Sequence, residues 1–178
     1  MTVHGERTTE TGLSGTPAGA IDFGRDLGAR TAITIPWGDV STAYQTTGIR
    51  NIEVYVAVPL AVRAALRASR VLGPLLATGA VKRAVAARIR RGPAGPTADE
   101  RAGRSSHLWA EAHDAAGQIA VARLRTPESY ELTSMTAVDL ATRALRGEVA
   151  PGFQTPARAC GPDYVLAFPG VAREDVAA

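Results

Sequence analysis

A single cysteine, Cys160, stands in 178 residues, so the chain can form no internal disulfide and no cysteine-based metal cluster. That usage fits a reducing cytoplasm. Aromatic residues make up only 5% of the chain, so the core is expected to use small residues and close backbone approach. No cluster of His, Cys, Asp and Glu has zinc spacing. His107 and His113 sit about 20 Å apart along a strand at roughly 3.3 Å per residue, too far to share an ion. No uncharged run is long enough to span a bilayer, because Arg63, Arg67 and Arg70 interrupt the apolar stretch from Val54 to Val81. No Gly-x-Gly-x-x-Gly occurs either, and Gly24-Arg25-Asp26-Leu27-Gly28 has the wrong spacing to replace it. A Gly-x-Ser-x-Gly elbow is also missing.

What is present reads as one α+β domain. Hydrophobic residues are 46% and charged residues 21%, both near globular averages. Residues 1–20, polar and rich in Gly and Thr, are expected to form a flexible leader rather than a signal peptide. Residues 21–172 should fold as a mixed, mainly antiparallel sheet flanked by helices, and residues 173–178 should fray. Strands are expected at Thr31–Ile35, Asn51–Val58 and Tyr164–Phe168, with a short helix between the first two capped by Asp39 or Ser41 and stopped by Gly48. Two amphipathic helices follow, from Leu60 to about Leu72 and from Gly79 to Arg91. In the second, Val81, Val85 and Ile89 form an inward stripe. Lys82, Arg83, Arg88, Arg90 and Arg91 accompany it with no acid, and read as a solvated face. Neither nucleic acid nor a membrane surface is therefore an expected partner. A further helix, Glu131–Arg146, should turn Met135, Val138, Ala141 or Thr142 and Leu145 inward, and Thr155-Pro156 should cap a short last one.

The most specific local pattern is a hairpin. Ser106–His113 and Gln118–Arg125 flank a loop in which Gly117 takes the left-handed position. The register this sets pairs Leu108 with Leu124, Ala110 with Ala122 and Ala112 with Ala120, a small apolar face suited to a helix. Trp109 then lies opposite Arg123 as a cation–π pair, and His107 opposite Arg125.

Four segments in order, Ile21–Gly24, Ile35–Val40, Thr47–Tyr55 and Gly152–Ala157, with the basic helix and hairpin between them, carry a resemblance. The chain resembles the back half of the saccharopine-dehydrogenase-like family of bacterial NAD(P) reductases, which includes the trans-acting enoyl reductases. In that family a Rossmann domain seats the cofactor, while the back half closes over nicotinamide and substrate. The resemblance implies the substrate-cleft half of an oxidoreductase, unable to transfer hydride alone. It implies no cofactor for this chain by itself, and NAD(P) only beside a separate Rossmann-domain partner. A small apolar metabolite is the expected ligand, and a homodimer is an alternative assembly.

Within the matching segments, Trp37, Gly38 and Asp39 place an indole, a small residue and a carboxylate in one turn. Tyr44 follows about one helical turn later with a phenol able to orient a carbonyl. Glu53 and Tyr55 share a strand face as an acid/base pair. Asp39, Tyr44 and Glu53 are the candidate catalytic residues, and Trp37, Gly38, Tyr55 and Trp109 the candidate substrate contacts. Two other functions fit the same residues. One is a cofactor-free cyclase, isomerase or lyase of bacterial secondary metabolism. The other is a non-catalytic membrane-surface or interaction module built on the two amphipathic helices.

Overall fold

A computed structural model describes residues 2–4, 7–9, 17–35, 37–71, 78–92, 97–101 and 103–176. The fold is α+β, and every strand pairing among these residues is antiparallel. Strands β1 (Thr2–His4) and β2 (Arg7–Thr9) form a small ribbon. β3 (Pro17–Asp22), β4 (Ala29–Thr34) and β5 (Tyr55–Ala57) form a three-stranded sheet with β4 central. A second three-stranded sheet has β7 (Ile119–Pro127) between β6 (Ser105–His113) and β8 (Ala172–Val176). The helices are α1 (Asp39–Thr47), α2 (Leu60–Val71), α3 (Gly79–Arg91), α4 (Ala98–Arg101), α5 (Ser129–Leu145) and α6 (Pro156–Cys160), with a 3₁₀ turn at Tyr164–Ala167.

The first sheet holds the tightest packing. Ala32 and Ile33 on β4, Ile35 just beyond it, Ile21 on β3 and Val40 on α1 are all buried. Small and β-branched side chains suit this pleated, crowded site, as the scarcity of aromatic residues leads one to expect. β5 is shorter than the alternating Asn51–Val58 pattern. The Ile35 amide still donates to the Val54 carbonyl at 2.9 Å. Asn51 to Glu53 lie before β5 and pair with no described strand. α1 begins at Asp39 itself. Its N-cap is Gly38, with no side-chain capping bond, so the Asp39 carboxylate sits in the first turn, where the helix dipole favours it.

The hairpin register is the expected one throughout, from Leu108 opposite Leu124 to Ala112 opposite Ala120. Gly117 has φ 82°, and Asp114 Oδ1 accepts from the Ala116 and Gln118 amides, which closes the loop. Two features of the hairpin differ from expectation. Leu108, Ala110 and Ala112 are exposed, so among the described residues no helix covers them. Arg123 does not serve Trp109; it reaches Asp22 on β3 and Glu174 on β8, where carboxylates satisfy its donors.

The two ends of the chain are more regular than their composition predicts. The Thr-rich start pairs Thr2 with Thr9, in line with threonine's preference for strands, and β3 already begins at Pro17. The tail adds β8, whose Arg173 and Glu174 lie opposite Leu124 and Arg123. Opposite charge across the ladder turns a polar tail into an edge strand. Tyr164–Ala167 is a 3₁₀ turn instead of a strand, because the Tyr164 side chain is drawn inward onto α5.

α5 starts two residues before Glu131, since the Glu128 carboxylate accepts from the Tyr130 and Glu131 amides. Its inward face is also rotated. Val138 is 68% and Leu145 90% exposed, whereas Asp139 and Arg143 turn toward Tyr164. One residue along a helix is about 100°, so hydrogen bonds to Asp139 carry Val138 outward. α3 differs in the same way: Val85 is 51% and Ile89 71% exposed, so this stripe is not buried. No helix among the described residues is long and apolar enough to cross a membrane.

Candidate functional site

Residues of both three-stranded sheets line an open groove of about 1750 Å³. That exceeds the roughly 300–1,000 Å³ of a drug-sized pocket, so it suits an elongated ligand or one shared with another surface. One wall is β5 with the loop before it, another is the edge strand β6, and α1 contributes a rim. Along α1 the lining residues are Asp39, Ala43 and Thr47, spaced by one helical turn. Tyr44, one position past Ala43, is rotated about 100° from that stripe and lies off the lining, as does Gly38.

Trp37, Asp39, Glu53, Tyr55 and Trp109 all line the groove. The chain has two tryptophans, and both are here. Trp37 is 56% exposed. Trp109 and Tyr55 are half-buried.

The Tyr55 hydroxyl donates to Glu53 Oε2. Its pKa is pushed up to about 12, chiefly by burial and then by the hydrogen bond to the neighbouring Glu53 carboxylate. At neutral pH Tyr55 is therefore a neutral phenol that can donate a hydrogen bond, and Glu53 is the acceptor that fixes its direction. The phenol has one hydrogen and gives it to Glu53, so it can polarise a ligand carbonyl only by turning from that carboxylate; the phenol itself does not act as a base.

Part of this lining lies outside the candidate residues named from the sequence. Glu111 and His113 sit two apart on β6, and His113 Nε2 lies 2.5 Å from Glu111 Oε1. His107 Nε2 is 3.0 Å from the Ser105 hydroxyl. Both histidines line the groove, together with Asp175 of β8. The period-2 spacing of Glu111 and His113 was the available signal. Asp175 had none, because its strand depends on pairing with β7. Among the described residues no three His, Cys, Asp or Glu side chains are grouped to hold a metal ion.

A separate polar cluster lies under α5. The Tyr164 hydroxyl donates to Asp139 Oδ2 at 2.8 Å, and Arg143 Nε donates to the same oxygen at 2.7 Å. The Arg143 guanidinium lies 5.8 Å from the Tyr164 ring centre, and Phe168 packs edge-on against that ring at 5.2 Å. Arg143, then Tyr164, hold the Asp139 carboxyl below the usual carboxylate range. The cluster contributes no residue to the groove and holds the carboxy-terminal segment on α5. No family model, curated protein or solved structure matches the chain.

Proposed function

We propose that this chain is the substrate-cleft half of an oxidoreductase resembling the saccharopine-dehydrogenase-like reductases, with NAD(P) held by a dinucleotide-binding domain outside these residues. The observation that carries the reading is the wide groove bearing both tryptophans and the Glu53–Tyr55 pair. An indole-lined groove matches a mainly apolar substrate, and a neutral phenol at its wall matches a single polar group such as a carbonyl. Trp37 and Trp109 would contact the apolar body, Tyr55 would orient the carbonyl by turning its hydroxyl from Glu53 to it, and Asp39 would face the same space from the rim of α1. Hydride would come from the partner domain's nicotinamide, since the sequence has no loop to seat a pyrophosphate.

Because both tryptophans are in the groove, intrinsic fluorescence reports on its occupancy. Titration with a medium-chain fatty acid as an apolar probe should give a saturable emission shift, reduced in Trp37→Phe and Trp109→Phe. NADPH titrated against the same chain should give none. Saturable NADPH binding to this chain alone would overturn the reading, as would an apolar probe that leaves both tryptophans unperturbed.

The Glu53–Tyr55 pair also favours a second reading, a cofactor-free isomerase or lyase acting on the same ligand class. Turnover of an apolar carbonyl compound by the chain alone, lost in Tyr55→Phe, would select it.

A further inference from the structure

α3 has no acidic residue and carries Lys82, Arg83, Arg88, Arg90 and Arg91. A basic helix that is merely solvated buries its apolar stripe and leaves its charges in water. Here most of the apolar stripe is outside too, with Val85 51% and Ile89 71% exposed and Val81 half-buried. At about 100° per residue, Lys82 lies about 20° beyond Ile89, and Arg88 about 20° before Val81. The apolar stripe is thus bordered on each side by a long cationic side chain, and Lys82 and Arg88 are exposed. α2 begins in the same style, with Leu60 72% and Val62 43% exposed, and it has no acid in its sequence.

We propose that α3, with the start of α2, docks this protein on the surface of an anionic lipid bilayer. The apolar stripe would enter the boundary between headgroups and acyl chains. Lys82 and Arg88 would run their alkyl stems along it and place their charges among the lipid phosphates. Arg83, Arg90 and Arg91 add long-range attraction from the remaining faces. A nucleic-acid backbone or other plain polyanion would satisfy the charges but would leave Val85 and Ile89 in water. A bilayer satisfies both, which is why lipid is the favoured occupant. The surface is distinct from the groove, since no residue of α2 or α3 lines it.

Cosedimentation of the full chain with vesicles tests this, using phosphatidylserine–phosphatidylcholine mixtures against pure phosphatidylcholine at physiological salt. Wild type should pellet with the anionic vesicles and remain soluble with the neutral ones. Changing Arg83, Arg90 and Arg91 together to Gln should weaken binding about a hundredfold, at about 1 kcal/mol for each charge lost. Val85→Asp with Ile89→Asp should also abolish pelleting while leaving the melting temperature unchanged, because both sites are exposed. Wild type left in the supernatant would overturn the proposal. So would a double Asp variant that binds like wild type, which would reassign the charges to a plain polyanion. A salt-resistant dimer in sedimentation velocity, lost in the double Asp variant, would overturn it in favour of a second copy covering the stripe.

Discussion

Tyr164 is buried, and its chemistry sets a pH limit on the fold. Its pKa is pushed up to about 12, first by burial and then by the hydrogen bond to Asp139. A group whose folded pKa is raised stabilises the fold fully below its unfolded value, near 10, and that stability is lost as pH climbs through the folded value. Asp139 is shifted the opposite way, so its contribution is present above the ordinary carboxylate range and lost only on acidification. Together they predict a fold whose stability falls between about pH 10 and pH 12 on the alkaline side. Tyr164→Phe should reduce that slope in chemical denaturation, leaving the share that Tyr55 contributes, while lowering stability at pH 7, because Asp139 loses one of its donors. An unchanged alkaline slope would detach Tyr164 from the effect.

Gly24 is constrained differently. Its φ is 92°, its amide donates to Asp22 Oδ1 at 3.0 Å, and an added Cβ would lie 3.3 Å from Arg123 Cδ. Gly24→Ala combines left-handed strain with pressure on a side chain that links two sheets. A loss of about 1–2 kcal/mol is expected in urea denaturation. Gly38→Ala is the control: its added Cβ meets nothing within 4 Å and its backbone φ is −57°, so little change should follow. Ala110→Leu should likewise cost little, since Ala110 is exposed at the groove; its effect should appear in probe binding instead.

At the scale of elements, local signals were legible and partners were not. The β6–β7 register followed from Gly117 and from the alternation of Leu108, Ala110 and Ala112, which a one-residue slip would destroy. The span of α3 and the cap at Thr155 followed from their own residues, and the Thr155 hydroxyl does accept from the Arg158 amide at 3.3 Å. Which way each helix faces was not written there. α5 turns on a tyrosine that lies outside it in sequence, and α3 keeps its apolar stripe outside. The candidate site was legible to a similar degree. Glu53 beside Tyr55 is a period-2 fact, whereas placing Trp37 and Trp109 on one groove depends on tertiary structure. β8 shows the same dependence, being a strand only because β7 lies next to it. Deleting residues 172–178 should uncover the β7 edge and remove the Arg123–Glu174 and Arg173–Asp163 pairs. We expect a lower melting temperature and concentration-dependent aggregation in size-exclusion chromatography, as unpaired edges invite pairing between chains.

For the whole molecule, the groove depends on what holds its two sheets in place, and Arg123 is the side chain that joins them. From β7, its Nη2 donates to Asp22 Oδ2 at 2.7 Å and its Nε to the Asp22 carbonyl at 3.0 Å, while Nη1 lies 3.6 Å from Glu174. A hydrogen bond to a charged group contributes about 1.5–3 kcal/mol. The Asp22 side chain is 59% exposed, so solvent screening brings the pair to the low end of that range. Arg125, 3.5 Å from Asp26, adds a weaker link along the same seam. Lysine at position 123 would keep the charge but could not reach a carboxylate and a carbonyl from one planar fork. Arg123→Lys should therefore cost about 1–2 kcal/mol and loosen the spacing of the sheets. Apolar-probe affinity measured by tryptophan fluorescence should fall with it, although position 123 does not line the groove. The diagnostic result is probe binding weakened at temperatures where circular dichroism still shows the variant folded. Affinity unchanged in a destabilised Arg123→Lys would mean that the groove keeps its width by backbone packing alone.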